Sequence, residues 1–231
     1  MKLKTLPYAA AFIATLFFAS GALGGPPLIC HPLDIGNAKS LSWISHGWNL
    51  SGSETYDTKN LSADTISIMN SDPAVIVHME TLRRATLYAQ KDPGAAKQLL
   101  LKLIARSDAA DANSSDGALA SFDVGYFAAT LNQLQFIQKD FANPAVGIDA
   151  FARVENALQV RKNDPQMEFA AAMMLLDGSD TRHQAYAQKA IADGKADPLL
   201  QRNLSVHYFG PNSETVAETL TRSASTKVAR Q

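Results

Sequence analysis

The chain has 231 residues, 46% hydrophobic and 19% charged, with a formal net charge of −1. That length suits one domain with a sizeable core. The composition excludes a disordered chain, and the near-zero charge excludes a broad basic field for nucleic acid. Cys30 is the single cysteine, so an intramolecular disulfide is excluded.

Residues 1–24 have the order of an export signal. Lys2 and Lys4 precede an apolar run over 9–19, and the small residues Ser20, Gly21, Ala22 and Gly24 follow. Cleavage is expected near Ala22 or Gly24, giving a periplasmic or secreted protein. The run is short for a bilayer span of roughly 20 residues, although an uncleaved anchor is the alternative. No later apolar run is as long, so no transmembrane segment is expected after signal removal. Cys30 does not suit lipid attachment, because Ile29 stands where a small residue would be needed.

Residues 25–71 read as an irregular strap. Pro26, Pro27 and Pro32 stop helices, and Gly36, Gly47 and Gly52 punctuate the rest. Leu28, Ile29, Leu33, Ile35, Trp43, Ile44 and Trp48 give it too much apolar surface for a free tail. It is expected to lie extended on a helical body, anchored by the two tryptophans, with a short helix over 61–69.

Residues 72–211 read as a helical-hairpin domain. The first hairpin spans 72–107, each helix opened by Asp-Pro: the Asp as N-cap, the Pro at the first helical position. Val75, Met79, Leu82, Thr86 and Ala89 share one face of its first helix, and Ala96, Leu99, Leu100, Leu103 and Ile104 one face of its second. A loop is expected over 107–116, then a third helix over 117–139 with Leu119, Phe122, Tyr126, Ala129, Gln133 and Phe136 along one stripe. Gly125 inside that helix implies a close helix crossing, because glycine there costs about 1 kcal/mol relative to alanine.

Asn143-Pro144-Ala145-Val146 then echoes Asp72-Pro73-Ala74-Val75, and Asp164-Pro165 follows where Asp92-Pro93 did. Either the hairpin is duplicated over 143–178 or two helix starts share one capping chemistry. Further helices are expected from Met167 to a stop at Asp177-Gly178, from Arg182 to about Ala192 with Gly194 as C-cap, and from Asp197-Pro198 to Gly210-Pro211. Residues 212–231 carry a weak stripe of Val216, Leu220, Ala224 and Val228, a polar terminal helix or tail.

Residues 187–210, AQKAIADGKADPLLQRNLSVHYFG, resemble one repeat of the tetratricopeptide-like superfamily in its short Sel-type form, through Lys189, Ala190, Gly194, Leu204, Tyr208 and Gly210. The register departs by about one residue between Gly194 and Leu204, and the bulky first-helix aromatic is missing around Ala170. The resemblance implies an all-α fold of stacked antiparallel hairpins, an α-solenoid, whose relatives mostly bind proteins or peptides. It implies no reaction.

No Ser/His/Asp arrangement, H-E-x-x-H, glycine-rich phosphate loop or paired-carboxylate motif is present, and no cofactor is expected. The favoured reading is an exported, non-enzymatic scaffold that holds another protein or peptide on a concave face. Arg83, Arg84, Tyr88, Asn132, Gln133 and Gln135 are its candidate lining residues, though the pair Arg83-Arg84 also reads as a plain solvated face. The alternative is a small-molecule or metal site between strap and body, with Cys30, His31 and His78 as ligands and Asp34, His46 and Trp43 nearby. Cys30 also allows pairing between two chains. His78 and Glu80, about 200° apart on a helix, face opposite ways. His207 is expected to serve the C-terminal end of its helix through the macrodipole. Asn49, Asn60, Asn113 and Asn203 head N-x-S sequons.

Overall fold

A computed structural model describes residues 25–44, 52–176 and 180–207, and among them the regular elements are helical, with no strand. The export signal, His46, Trp48, Tyr208, Gly210 and the terminal stripe lie outside the described residues. In chain order the helices are α1 (Pro27–Cys30), α2 (Leu61–Ser71), α3 (Val75–Ala89), α4 (Pro93–Ala109), α5 (Ser115–Ile137), α6 (Ala150–Val160), α7 (Pro165–Met174), α8 (Arg182–Asp193) and α9 (Pro198–His207). A 3₁₀ turn, Thr58–Asn60, leads into α2. The strap is therefore less irregular than its prolines suggest. Pro27 stands in the first turn of α1, where a missing N–H costs nothing.

Three of the four Asp-Pro pairs cap helices as their chemistry predicts. Asp92 Oδ1 accepts from Ala95 N at 3.0 Å, Asp164 Oδ1 from Met167 N at 3.1 Å, and Asp197 Oδ1 from Leu199 N and Leu200 N at 3.0 Å. The first pair does not. Asp72 accepts from Ala74 N at 2.9 Å in a local turn, and α3 begins only at Val75. Asn143 makes the same turn with Ala145 N at 2.8 Å. There Gly147 has φ +88°, and α6 starts at Ala150 under the Asp149 cap. The echo between 72–75 and 143–146 is thus an echo of turn chemistry, followed by a helix in one case and a further bend in the other.

The core lies around α5, which packs against α1, α3, α4, α6 and α7. Its burial exceeds the single stripe read from the sequence: Ala118, Leu119, Ala120, Phe122, Val124, Tyr126, Phe127, Ala128, Leu131 and Leu134 are all buried. A helix buried on most sides reads as apolar nearly all round, so one stripe under-describes it. Phe136, placed on that stripe, is 69% exposed near the helix end. The close crossing at Gly125 is present. A Cβ there would lie 2.6 Å from Ala150 O and 3.0 Å from Arg153 Cβ of α6. Gly194 caps α8 with φ −92°, so it serves close packing against Ala190 O and Leu200 rather than a left-handed turn.

Candidate functional site: a groove that holds the N-terminal strap

Residues 31–44 form no strand, so their backbone N–H and C=O groups need partners from elsewhere. Side chains of α3 and α9 supply several of them, and side chains of α3 and α5 also hold the free backbone groups of the short helix α1 that precedes them. Gln133 Oε1 accepts from Leu28 N at 2.8 Å, and Arg83 Nη1 donates to Ile29 O at 3.1 Å. Glu80 Oε2 accepts from Leu33 N at 2.9 Å. Asn203 grips Asp34 twice: Oδ1 accepts from Asp34 N at 2.9 Å and Nδ2 donates to Asp34 O at 2.8 Å. Further along, Arg84 Nη1 donates to Leu41 O at 2.6 Å and the Tyr88 hydroxyl to Ser42 O. Between these clamps Leu28, Ile29, Leu33 and Leu41 are buried, and α1 rests on α3, α5 and α7.

Charge inside the groove is balanced within α3. Glu80, with no exposed surface, accepts from Arg83 Nε at 2.7 Å and Nη2 at 2.9 Å, and from Arg84 Nε at 2.7 Å. The spacing of three and four residues puts both guanidinium groups beside one carboxylate. Trp43 covers them, its ring centre 5.0 Å from the Arg83 guanidinium carbon and 5.9 Å from that of Arg84. The solvated face suggested for Arg83-Arg84 is therefore corrected: Arg83 is 1% exposed, because the strap lies over it. At the rim, Arg202 Nε donates to Asp34 Oδ2 at 2.6 Å, and this bond, with that from Gly36 N–H, holds the Asp34 carboxyl below its usual range.

Of the six lining candidates, Arg83, Arg84, Tyr88 and Gln133 meet on the strap. Asn132 and Gln135 instead hold Asn143 Nδ2, at 2.8 and 3.1 Å. Glu80 and Asn203 were missed. The Glu80/Arg83/Arg84 spacing was the available signal for one, and an amide between Leu200 and Leu204 on an apolar face for the other. Asn203 is 1% exposed, so a glycan at its sequon is incompatible with this fold.

The residues suggested for a metal are not drawn together. His78 lies on the opposite face of α3 from Glu80, as the helical angle requires. Its Nδ1 is 2.7 Å from Asp123 Oδ1, and its Nε2 is 2.7 Å from Asp72 O and 3.1 Å from Met69 O. Both ring nitrogens are thereby engaged. Arg106 Nη1 reaches the other Asp123 oxygen at 2.5 Å. Burial alone would lower the His78 pKa, but the Asp123 carboxylate and the Asp72 carbonyl outweigh it and hold it above the ordinary value. Cys30 and His31 are buried in the strap, and among the described residues no group of three His, Cys, Asp or Glu side chains is placed to hold a metal ion.

His207 also departs from expectation. It is 2% exposed, edge-on to His31 with ring centres 6.1 Å apart, and hydrogen-bonded to the Pro32 backbone. Burial, with His31 and Arg83 nearby, pushes its pKa down to about 4 despite the opposing pull of Glu80. It is neutral near pH 7 and contributes no charge to the helix dipole.

An open cleft of about 590 Å³ lies where the starts of α3, α7 and α9 converge. Its Arg161 is 2.7 Å from the Asp164 carboxylate, and Asp72, Asp164 and Asp197 spend carboxylate oxygens on backbone N–H groups. That leaves little net field for an anion. No described helix is long and apolar enough to cross a membrane. Compared with known proteins, the chain matches no protein-family model, no curated protein and no solved structure.

Proposed function

We propose that this chain is an exported, non-enzymatic scaffold of stacked helical hairpins that holds a peptide segment of another protein in the cell envelope. The observation that supports this reading is the chemistry of the groove. Side chains from three helices satisfy backbone groups at Leu28, Ile29, Leu33, Asp34 and Leu41, along a segment that is one helical turn followed by an irregular stretch. A surface that recognises main chain in this way gains affinity from backbone hydrogen bonds and selects through a few side-chain pockets. The tetratricopeptide-like resemblance points to the same class of work, and the order of residues 2–24 to export.

Selection from a random peptide library on the immobilised full chain tests it. The expected result is an enriched set of peptides that share a spacing of aliphatic residues and lose binding to an Asn203→Ala variant. A library without any Asn203-dependent enrichment would overturn the reading.

A further inference from the structure

We infer that residues 25–44 are a built-in competitor for the groove, displaced by a partner segment with an adjacent aliphatic pair in one helical turn and, five residues on, an aliphatic-acidic pair. This rests on the proposed peptide-binding role and adds to it the ligand's chemistry and its regulation.

Backbone hydrogen bonds carry no sequence information, so the side chains that the groove buries define the ligand. In the strap the buried aliphatic side chains are Leu28 and Ile29, 2% and 0% exposed, then Leu33 at 7% and, further along, Leu41 at 2%. Asp34 follows, its carboxylate 2.6 Å from Arg202 Nε. That ion pair is half-exposed on both sides, so it sets register and sign rather than strength. The amide of Asn203 and the acceptor Glu80 fix the same register from the main chain.

A tethered segment competes with an effective concentration on the order of millimolar. A peptide that makes the same contacts from outside therefore binds the intact chain weakly, and binds tightly once the strap's own contacts are weakened. Leu33→Pro with Asp34→Ala removes the N–H that Glu80 accepts and the carboxylate that Arg202 holds, and touches no groove residue. Cys30, buried within the strap and the only cysteine, reports strap release through its rate of reaction with a thiol reagent.

The probe is a fluorescent synthetic peptide of residues 27–42 carrying Cys30→Ser, titrated into the full chain. The double variant is expected to bind it at least 10-fold more tightly than the unaltered chain. Its Cys30 is expected to label at least 10-fold faster, with helical circular dichroism retained. Asn203→Ala added to the double variant should weaken the peptide again. Equal affinity for both chains would remove the strap as competitor and leave the groove's peptide binding standing. Failure of both chains to bind, with Cys30 exposed in the double variant, would remove both readings. Should the double variant lose its helices, the unaltered chain decides: excess peptide must accelerate Cys30 labelling where a scrambled peptide does not, and an unchanged rate overturns the inference.

Discussion

Glu80 sits without exposed surface and accepts four hydrogen bonds, from the Leu33 N–H, two Arg83 nitrogens and Arg84 Nε. Removing one partner of a buried ion pair leaves uncompensated charge, which costs about 3–5 kcal/mol. Glu80→Gln is expected to lose stability in that range, because its amide N–H₂ would face donors while Arg83 stays buried. Arg84 is more exposed, at 17% of its side chain, so solvent screens its charge. Its loss in Arg84→Ala should cost about 1–2 kcal/mol, mostly through the hydrogen bond to Leu41 O. Urea denaturation separates the two values. Equal losses would mean that the carboxylate, not the strap, sets the energetics of this face.

At the scale of elements, Gly125 links α5 to α6. Alanine would add about 1 kcal/mol of helix propensity, but its Cβ would meet backbone Ala150 O at 2.6 Å, an atom with no rotamer to change. Overpacking of that kind costs about 1–3 kcal/mol. The expected balance for Gly125→Ala is a loss of up to about 2 kcal/mol in chemical denaturation, and more for Gly125→Val. A gain in stability would show that α6 can move away.

That crossing was legible from one glycine in a long apolar helix, and so were the capping roles of Asp92, Asp164 and Asp197, because both depend on local geometry. Asp72 looked identical to them in sequence. Its role as the end of α2, with its carbonyl on His78, depends on how α2 and α3 meet, and no local pattern carries that. The groove was legible only in part. Arg83, Arg84, Tyr88 and Gln133 were picked as residues fit to hold a peptide, but which peptide lies there is set by residues more than 40 positions away. Asp123, a lone acid among Phe122 and Val124, was the sign of a buried charge pair.

For the molecule as a whole, two buried histidines bias stability in opposite directions along the pH axis. His78 ties α3 to α5 through Asp123 and to the end of α2 through two carbonyls, an arrangement that uses two N–H donors on one ring. The charged groups that face it are Asp123 and, opposing its protonation, Arg106. Its folded pKa lies above the ordinary value near 6.5. The folded chain therefore keeps a proton that the unfolded chain releases, and this stabilisation is complete below about pH 6.5 and is lost as the pH rises through the folded value. His207 acts in reverse. Its pKa of about 4, set by burial beside His31 and Arg83 against Glu80, means that the unfolded chain takes up a proton first as the solution is acidified. Stability is lost between about pH 6.5 and 4, by about 3 kcal/mol in full. Urea midpoints measured from pH 4 to 9 are thus expected to peak near pH 6–7. His207→Gln, which keeps a donor for Pro32 O, should flatten the acid limb alone. His78→Gln should lower stability throughout and flatten the alkaline limb. An alkaline limb unchanged by His78→Gln would mean that the ring is neutral when folded, with one of its nitrogens facing an acceptor without a proton to share.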